Sequence, residues 1–89
     1  MILKNIFVLS ENVDRTTLIS QVVSTLAFYN YNDMEMHTEE DASYYIAATH
    51  TDEGAVNIRI YSDHVTMESP DFVITNRVRD IINNLISRE

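Results

Sequence analysis

The chain contains no cysteine, so disulfide staples and thiolate chemistry are both ruled out. Gly54 is the only glycine and Pro70 the only proline. One glycine cannot build a glycine-rich phosphate loop, and the G-x-S-x-G elbow of acyl-transfer enzymes is missing too. Nucleotide-driven and acyl-transfer enzymes are therefore disfavoured, and the chain reads as non-enzymatic. Long apolar runs are absent as well. The apolar start, MILKNIFVLSENVDR, is too short to span a bilayer and lacks a small-residue cleavage site, so it reads as part of the fold.

Positive charge is the other shortage. Six Lys and Arg stand against fourteen Asp and Glu, for a formal net charge of −8. No Lys or Arg lies between Arg15 and Arg59, an interval that holds Asp33, Glu35, Glu39, Glu40, Asp41, Asp52 and Glu53. Nucleic acid and anionic membrane are poor direct partners for such a chain, because binding them relies on cationic side chains that release counterions. A basic protein surface is the complementary partner. The same acidity also keeps a small chain in solution.

What is present suits one domain. Eighty-nine residues are enough for a single unit over 1–89 and too few for two. A domain of this size buries only roughly 60–65% of its unfolded surface, so self-association would add useful stability. The apolar fraction of 45% argues against disorder. The expected location is the cytoplasm, or the host cytoplasm for a viral chain.

Pro70 marks a helix start. In SPDFVITNRVRDIINNLISRE, Ser69 reads as the N-cap, Pro70 as the first helical residue and Asp71 as a first-turn acid. Ile74, Val78, Ile81, Ile82 and Leu85 form an apolar stripe at helical spacing, with Arg77, Arg79 and Arg88 outside it. TTLISQVVSTLAFYN predicts a second helix, with Leu18, Ile19, Val22, Val23, Leu26, Ala27 and Tyr29 on one half-circle. Its other half, Thr17, Ser20, Gln21, Ser24, Thr25 and Phe28, carries no charge. That half is either a contact surface or covered by the N-terminal segment. The segment itself, KNIFVLS, suits a strand, although Ile2, Leu3, Ile6 and Leu9 also fit a helix; the strand is preferred.

Gly54 marks a hairpin. TDEGA reads as a three-residue loop with Gly54 at positive φ, which places Tyr45 opposite Tyr61 and Ala47 opposite Arg59. Tyr44, Ile46, Ala48, Val56, Ile58 and Ile60 then share the core face with His50. A tight turn at Ser62-Asp63 pairs Tyr61 with His64 and Ile60 with Val65. DMEMHT alternates with Met34 and Met36 inward, and Asp33, Glu35 and His37 outward; His37 comes beside Tyr45. The expected fold is α+β: a four-stranded antiparallel meander, five with the N-terminal segment at an edge, and two helices on one face, in the order (β)-α-β-β-β-β-α. This order resembles the α-β-β-β-α layout of double-stranded-RNA-binding domains, without their cationic phosphate-binding motif.

Chemistry is sparse. His37, His50 and His64 are too widely spaced for a helical metal pair and do not converge on one zinc. The carboxylates of TEEDAS and TDEG sit at loop tips, with no pocket to raise a pKa and no calcium-loop spacing. No cofactor or metal is expected. The distinctive feature is an outward row of His37, Tyr45, Tyr61 and His64, amphipathic and typical of contact surfaces. Cross-strand tyrosines also stabilise a sheet in their own right, by about 0.2–1 kcal/mol. Together with Glu35, Glu39, Glu40, Asp41, Asp52 and Glu53, this row predicts an acidic interaction module. The expected role is an inhibitor or modulator of a protein with a basic surface, similar in type to phage-encoded proteins that present carboxylates in place of nucleic-acid phosphates. The alternative is a structural or assembly subunit that forms a homo-oligomer such as a homodimer.

Overall fold

The computed structural model describes residues 2–10 and 13–87. The elements run β1 (Leu3–Val8), α1 (Arg15–Phe28), β2 (Asn32–Thr38), β3 (Tyr44–His50), β4 (Gly54–Ile60), β5 (His64–Ser69) and α2 (Phe72–Ser87). The five strands form one antiparallel sheet in the order β1-β5-β4-β3-β2. The expected α+β meander is present, and the N-terminal segment supplies the fifth strand. Phe7 packs against the core and Leu9 is buried, while Ile6 and Val8 are exposed. That is the period of a strand, not of a helix.

Alternation also sorts the central strands. Ile46, Ala48, Val56, Ile58, Ile60, Val65 and Met67 are buried, and they meet Leu18, Val22 and Leu26 of α1 and Ile74, Val78, Ile82 and Leu85 of α2 in one core. Each large aliphatic side chain buried here contributes ~1.5–3 kcal/mol. The helices occupy one face of the sheet; among the described residues no element covers the other face.

Asp14 starts α1, accepting from the Thr16 N–H at 3.1 Å and the Thr17 hydroxyl at 2.8 Å. Asn30 ends it at φ 65°, with Tyr31 N–H returning to the Leu26 carbonyl and Asn30 N–H to that of Ala27. This is the Schellman pattern, and it carries Tyr31 into the core. The uncharged side of α1 is not covered by β1, which lies at the sheet edge. Ser20, Ser24 and Phe28 are exposed, and so is Ala27, which the sequence placed on the apolar half.

Three expectations need correction. First, the β3–β4 register is slipped by two: Tyr45 faces Arg59, not Tyr61, and His50 faces Gly54. The loop is Thr51–Glu53, because His50 Nδ1 accepts the N–H groups of Asp52 and Glu53 at 3.0 and 3.1 Å and so closes the turn one residue early. Gly54 still has positive φ, 113°, but as the first residue of β4. Second, Ser69 ends β5 and Asp71 caps α2, its Oδ1 accepting from Val73 N–H at 2.9 Å; Ser69 Oγ accepts from Asp71 N–H instead. Third, the regular alternation expected along DMEMHT breaks at Asp33, where the register shifts between Asn32 and Glu35 and φ is 51°. Met36 turns inward but stays 43% exposed on the outermost strand. Arg88 lies outside the described residues.

Candidate functional site

The open face of the sheet carries two clusters. The first straddles β2, β3 and β4. Paired strands set His37 beside Tyr45 and Tyr45 beside Arg59. The His37 and Tyr45 rings lie 5.0 Å apart, and the Arg59 guanidinium sits 4.7 Å above the Tyr45 ring. Arg59 Nε donates to Glu39 Oε1 at 3.2 Å, and His37 Nε2 stands 3.4 Å from Glu39 Oε2. The Tyr45 hydroxyl donates to Asn57 Oδ1 at 2.8 Å. Each link is individually modest: a partly exposed cation–π contact contributes about 0.5–1 kcal/mol and a surface ion pair about 0–1 kcal/mol. Together they tie three strands into one rigid patch and use up much of Tyr45's bonding capacity.

The second cluster sits where β4 turns into β5. Tyr61 N–H donates to the His64 carbonyl at 2.8 Å, closing the tight turn, and the two rings stack at 4.3 Å and 7°. His64 Nδ1 lies 2.6 Å from Asp63 Oδ1. That hydrogen bond holds the Asp63 carboxyl below its ordinary range and fixes the imidazole in place. Asp41 is similarly lowered, first by the Ser43 hydroxyl and then by the Ser43 N–H, at 2.6 and 3.0 Å. Asp41, Tyr61 and Asp63 border one small hollow of about 160 Å³, floored by Arg15. Arg15 reaches it by donating to the Ala42 and Ile60 carbonyls at 3.1 and 3.0 Å, which pins the β2–β3 loop to the end of the sheet. Glu39, Glu40 and Asp41 border a wider hollow beside it.

The residues singled out from sequence are thus divided. His37, Tyr45, Glu35 and Glu39 meet on the face, and Tyr61 and His64 form a separate stack. Glu40 and Asp41 stand on the loop near that stack. Asp52 and Glu53 lie at the other end of β3, in a turn capped by His50, whose ring packs 5.2 Å from Tyr31 on the core side. The acidic interval is therefore not one patch. Arg59 and Asn57 were missed as partners of Tyr45. The signal for Arg59 was available: it is the first cation after the long acidic interval, and it sits on a strand facing that interval.

Among the described residues, no group of three His, Asp or Glu side chains gathers as a metal site, and no helix is long and apolar enough to cross a membrane. No protein-family model matches this chain, and no curated protein sequence matches it.

Proposed function

We propose that this chain is a non-enzymatic protein-interaction module that docks on a basic surface of a protein partner, acting as an inhibitor or modulator. One observation carries the reading: the stacked Tyr61–His64 pair stands on the uncovered sheet face with the Asp41 and Asp63 carboxylates at its rim. An aromatic pair whose rotamers are already held by stacking loses little entropy on binding, and tyrosine at the centre of a contact contributes more than its share. The surrounding carboxylates select cationic partners and speed encounter. Glu40 extends the acidic rim on the neighbouring loop. Tyr45, already stapled to Asn57 and covered by Arg59, supports the patch more than it supplies contact area.

The test is capture of a partner from native host lysate by immobilised chain, repeated with Tyr61→Thr/His64→Thr and with Glu40→Gln/Asp41→Asn. Both variants are expected to fold and to lose the captured protein or hold it at least tenfold more weakly. Capture unchanged by both variants, or no specific capture, overturns the reading.

A further inference from the structure

We infer that β1 is a self-pairing edge: two copies of this chain join β1 to β1, antiparallel about a two-fold axis, into one continuous ten-stranded sheet. The ladder between β1 and β5 fixes which backbone groups of β1 are used. Leu9 N–H donates to the Asp63 carbonyl across the β1–β5 junction, at 2.9 Å. An antiparallel ladder alternates, so the odd residues of β1 spend their backbone groups on β5. The N–H and C=O groups of Lys4, Ile6 and Val8 then point to the open edge, since β1 is the terminal strand. A row of unused donors and acceptors at strand spacing is a template for another strand.

The side chains match that template. Ile2, Ile6 and Val8 are 65%, 71% and 76% exposed, the largest group of exposed aliphatics among the described residues; Ile6 and Val8 share one face of β1, and Ile2 immediately precedes the strand. Edge strands are ordinarily blunted by charge, proline or a bulge. The opposite edge, β2, has a register irregularity, Asp33 at positive φ and the Glu35 charge. On β1 the only charged residue is Lys4.

Two features select a second copy as the occupant. First, a two-fold pairing keeps faces matched only when opposed residue numbers have an even sum. With Asn5 on the axis, Lys4 meets Ile6, Leu3 meets Phe7 and Ile2 meets Val8 of the second copy. The free backbone groups coincide with their own images, and all three exposed aliphatics gain a neighbour. Second, the acid nearest β1 within the sheet, Glu68 on β5, stands opposite Lys4, and the acidic strand β2, which carries Glu35, lies about 19 Å from β1 at the usual strand spacing. That exceeds the ~8 Å screening length at physiological salt, and two chains of like charge meet at their least charged edge. The open face stays free, so this pairing is independent of the docking proposed above.

Sedimentation equilibrium of the whole chain tests it. The expected mass is twice the 10.3 kDa of one chain. Ile6→Pro removes an edge N–H that β5 does not use, and proline is tolerated on that side of an edge strand. This variant is expected to sediment as a folded monomer. Ile6→Lys, which sets like charges opposite Lys4 of the second copy, is expected to raise the dissociation constant at least tenfold and covers the case in which proline unfolds the strand. Asn5→Cys, in a chain otherwise free of cysteine, places two thiols across the axis in a close non-hydrogen-bonded pair. It should form a disulfide-linked pair of chains far faster than Ser20→Cys on the exposed side of α1. Monomeric wild type at about 1 mM, association that survives both Ile6 changes, or equal cross-linking of the two cysteine variants overturns the proposal.

Discussion

Three side chains decide most at the level of single residues. Gly54 sits at φ 113°, where a Cβ is disfavoured, although an added methyl would meet only the Pro70 ring at an ordinary 3.7 Å. The cost of Gly54→Ala is therefore backbone strain. It should be about 1 kcal/mol or more in chemical denaturation, and filling the space with a different small side chain will not relieve it. Tyr45→Phe keeps the ring under Arg59 but leaves Asn57 Oδ1 without its donor, and should lower stability by about 0.5–1.5 kcal/mol. Tyr61→Phe has no such bond to lose and should be close to neutral, a contrast that the same denaturation series reads directly. Tyr31 is a different kind of tyrosine. Burial, and then the Asp71 and Glu53 charges, push its hydroxyl up to about 12 from an ordinary 10.0. A group held protonated by the fold stabilises fully below its unfolded value and loses that contribution as pH rises through the folded one. Melting temperature should therefore fall between about pH 10 and 12, and Asp71→Asn should move the Tyr31 titration, followed by NMR, back toward the ordinary value.

Among the elements, the strands and helices were legible and their pairing was not. Period-2 alternation from Tyr44 to Ile60 named the buried face correctly, because swapping faces would have put Ile46, Val56 and Ile58 in water. A slip of two residues leaves every side chain on its face, so alternation cannot detect it. The choice fell to the turn, and the turn was decided by His50 accepting two backbone N–H groups, an interaction invisible to a pattern of apolar spacing. The outward row changed as a result: Tyr45 joined Arg59 and Glu39, and Tyr61 was left to stack on His64. The cap of α2 moved for a related reason. β5 continues through Ser69, so the first side chain free to accept the helix N–H groups is Asp71. Asp71→Ala should lower stability by about 1 kcal/mol, while Ser69→Ala disturbs only the approach to the helix and should cost less; thermal melts of the two variants give the order.

For the whole molecule, the position of charge matters more than its sum. Apart from Asp33 and Glu35 on β2, the acidic interval of the sequence folds into two groups at opposite ends of β3, Glu39 to Asp41 before it and Asp52 with Glu53 after it. Seven strand residues separate them, roughly 20 Å, which exceeds the ~8 Å screening length at physiological salt. A partner seated on Tyr61 and His64 therefore feels one group and is screened from the other. Within the near group, Glu39 is already matched by Arg59 at 3.2 Å and His37 at 3.4 Å, so the steering charge falls to Glu40, Asp41 and Asp63. Glu40→Gln with Asp41→Asn keeps the turn, since an asparagine oxygen still accepts from Ser43. This pair of changes should slow association with the captured partner about three- to tenfold at low salt and flatten its dependence on ionic strength. Asp52→Asn with Glu53→Gln removes the same formal charge from the far end and should change the rate by less than about twofold. Stopped-flow association of the two variants across a salt series separates the cases. Equal slowing by both would mean that net charge alone steers the encounter, and the docking site would then have to be sought away from Tyr61 and His64.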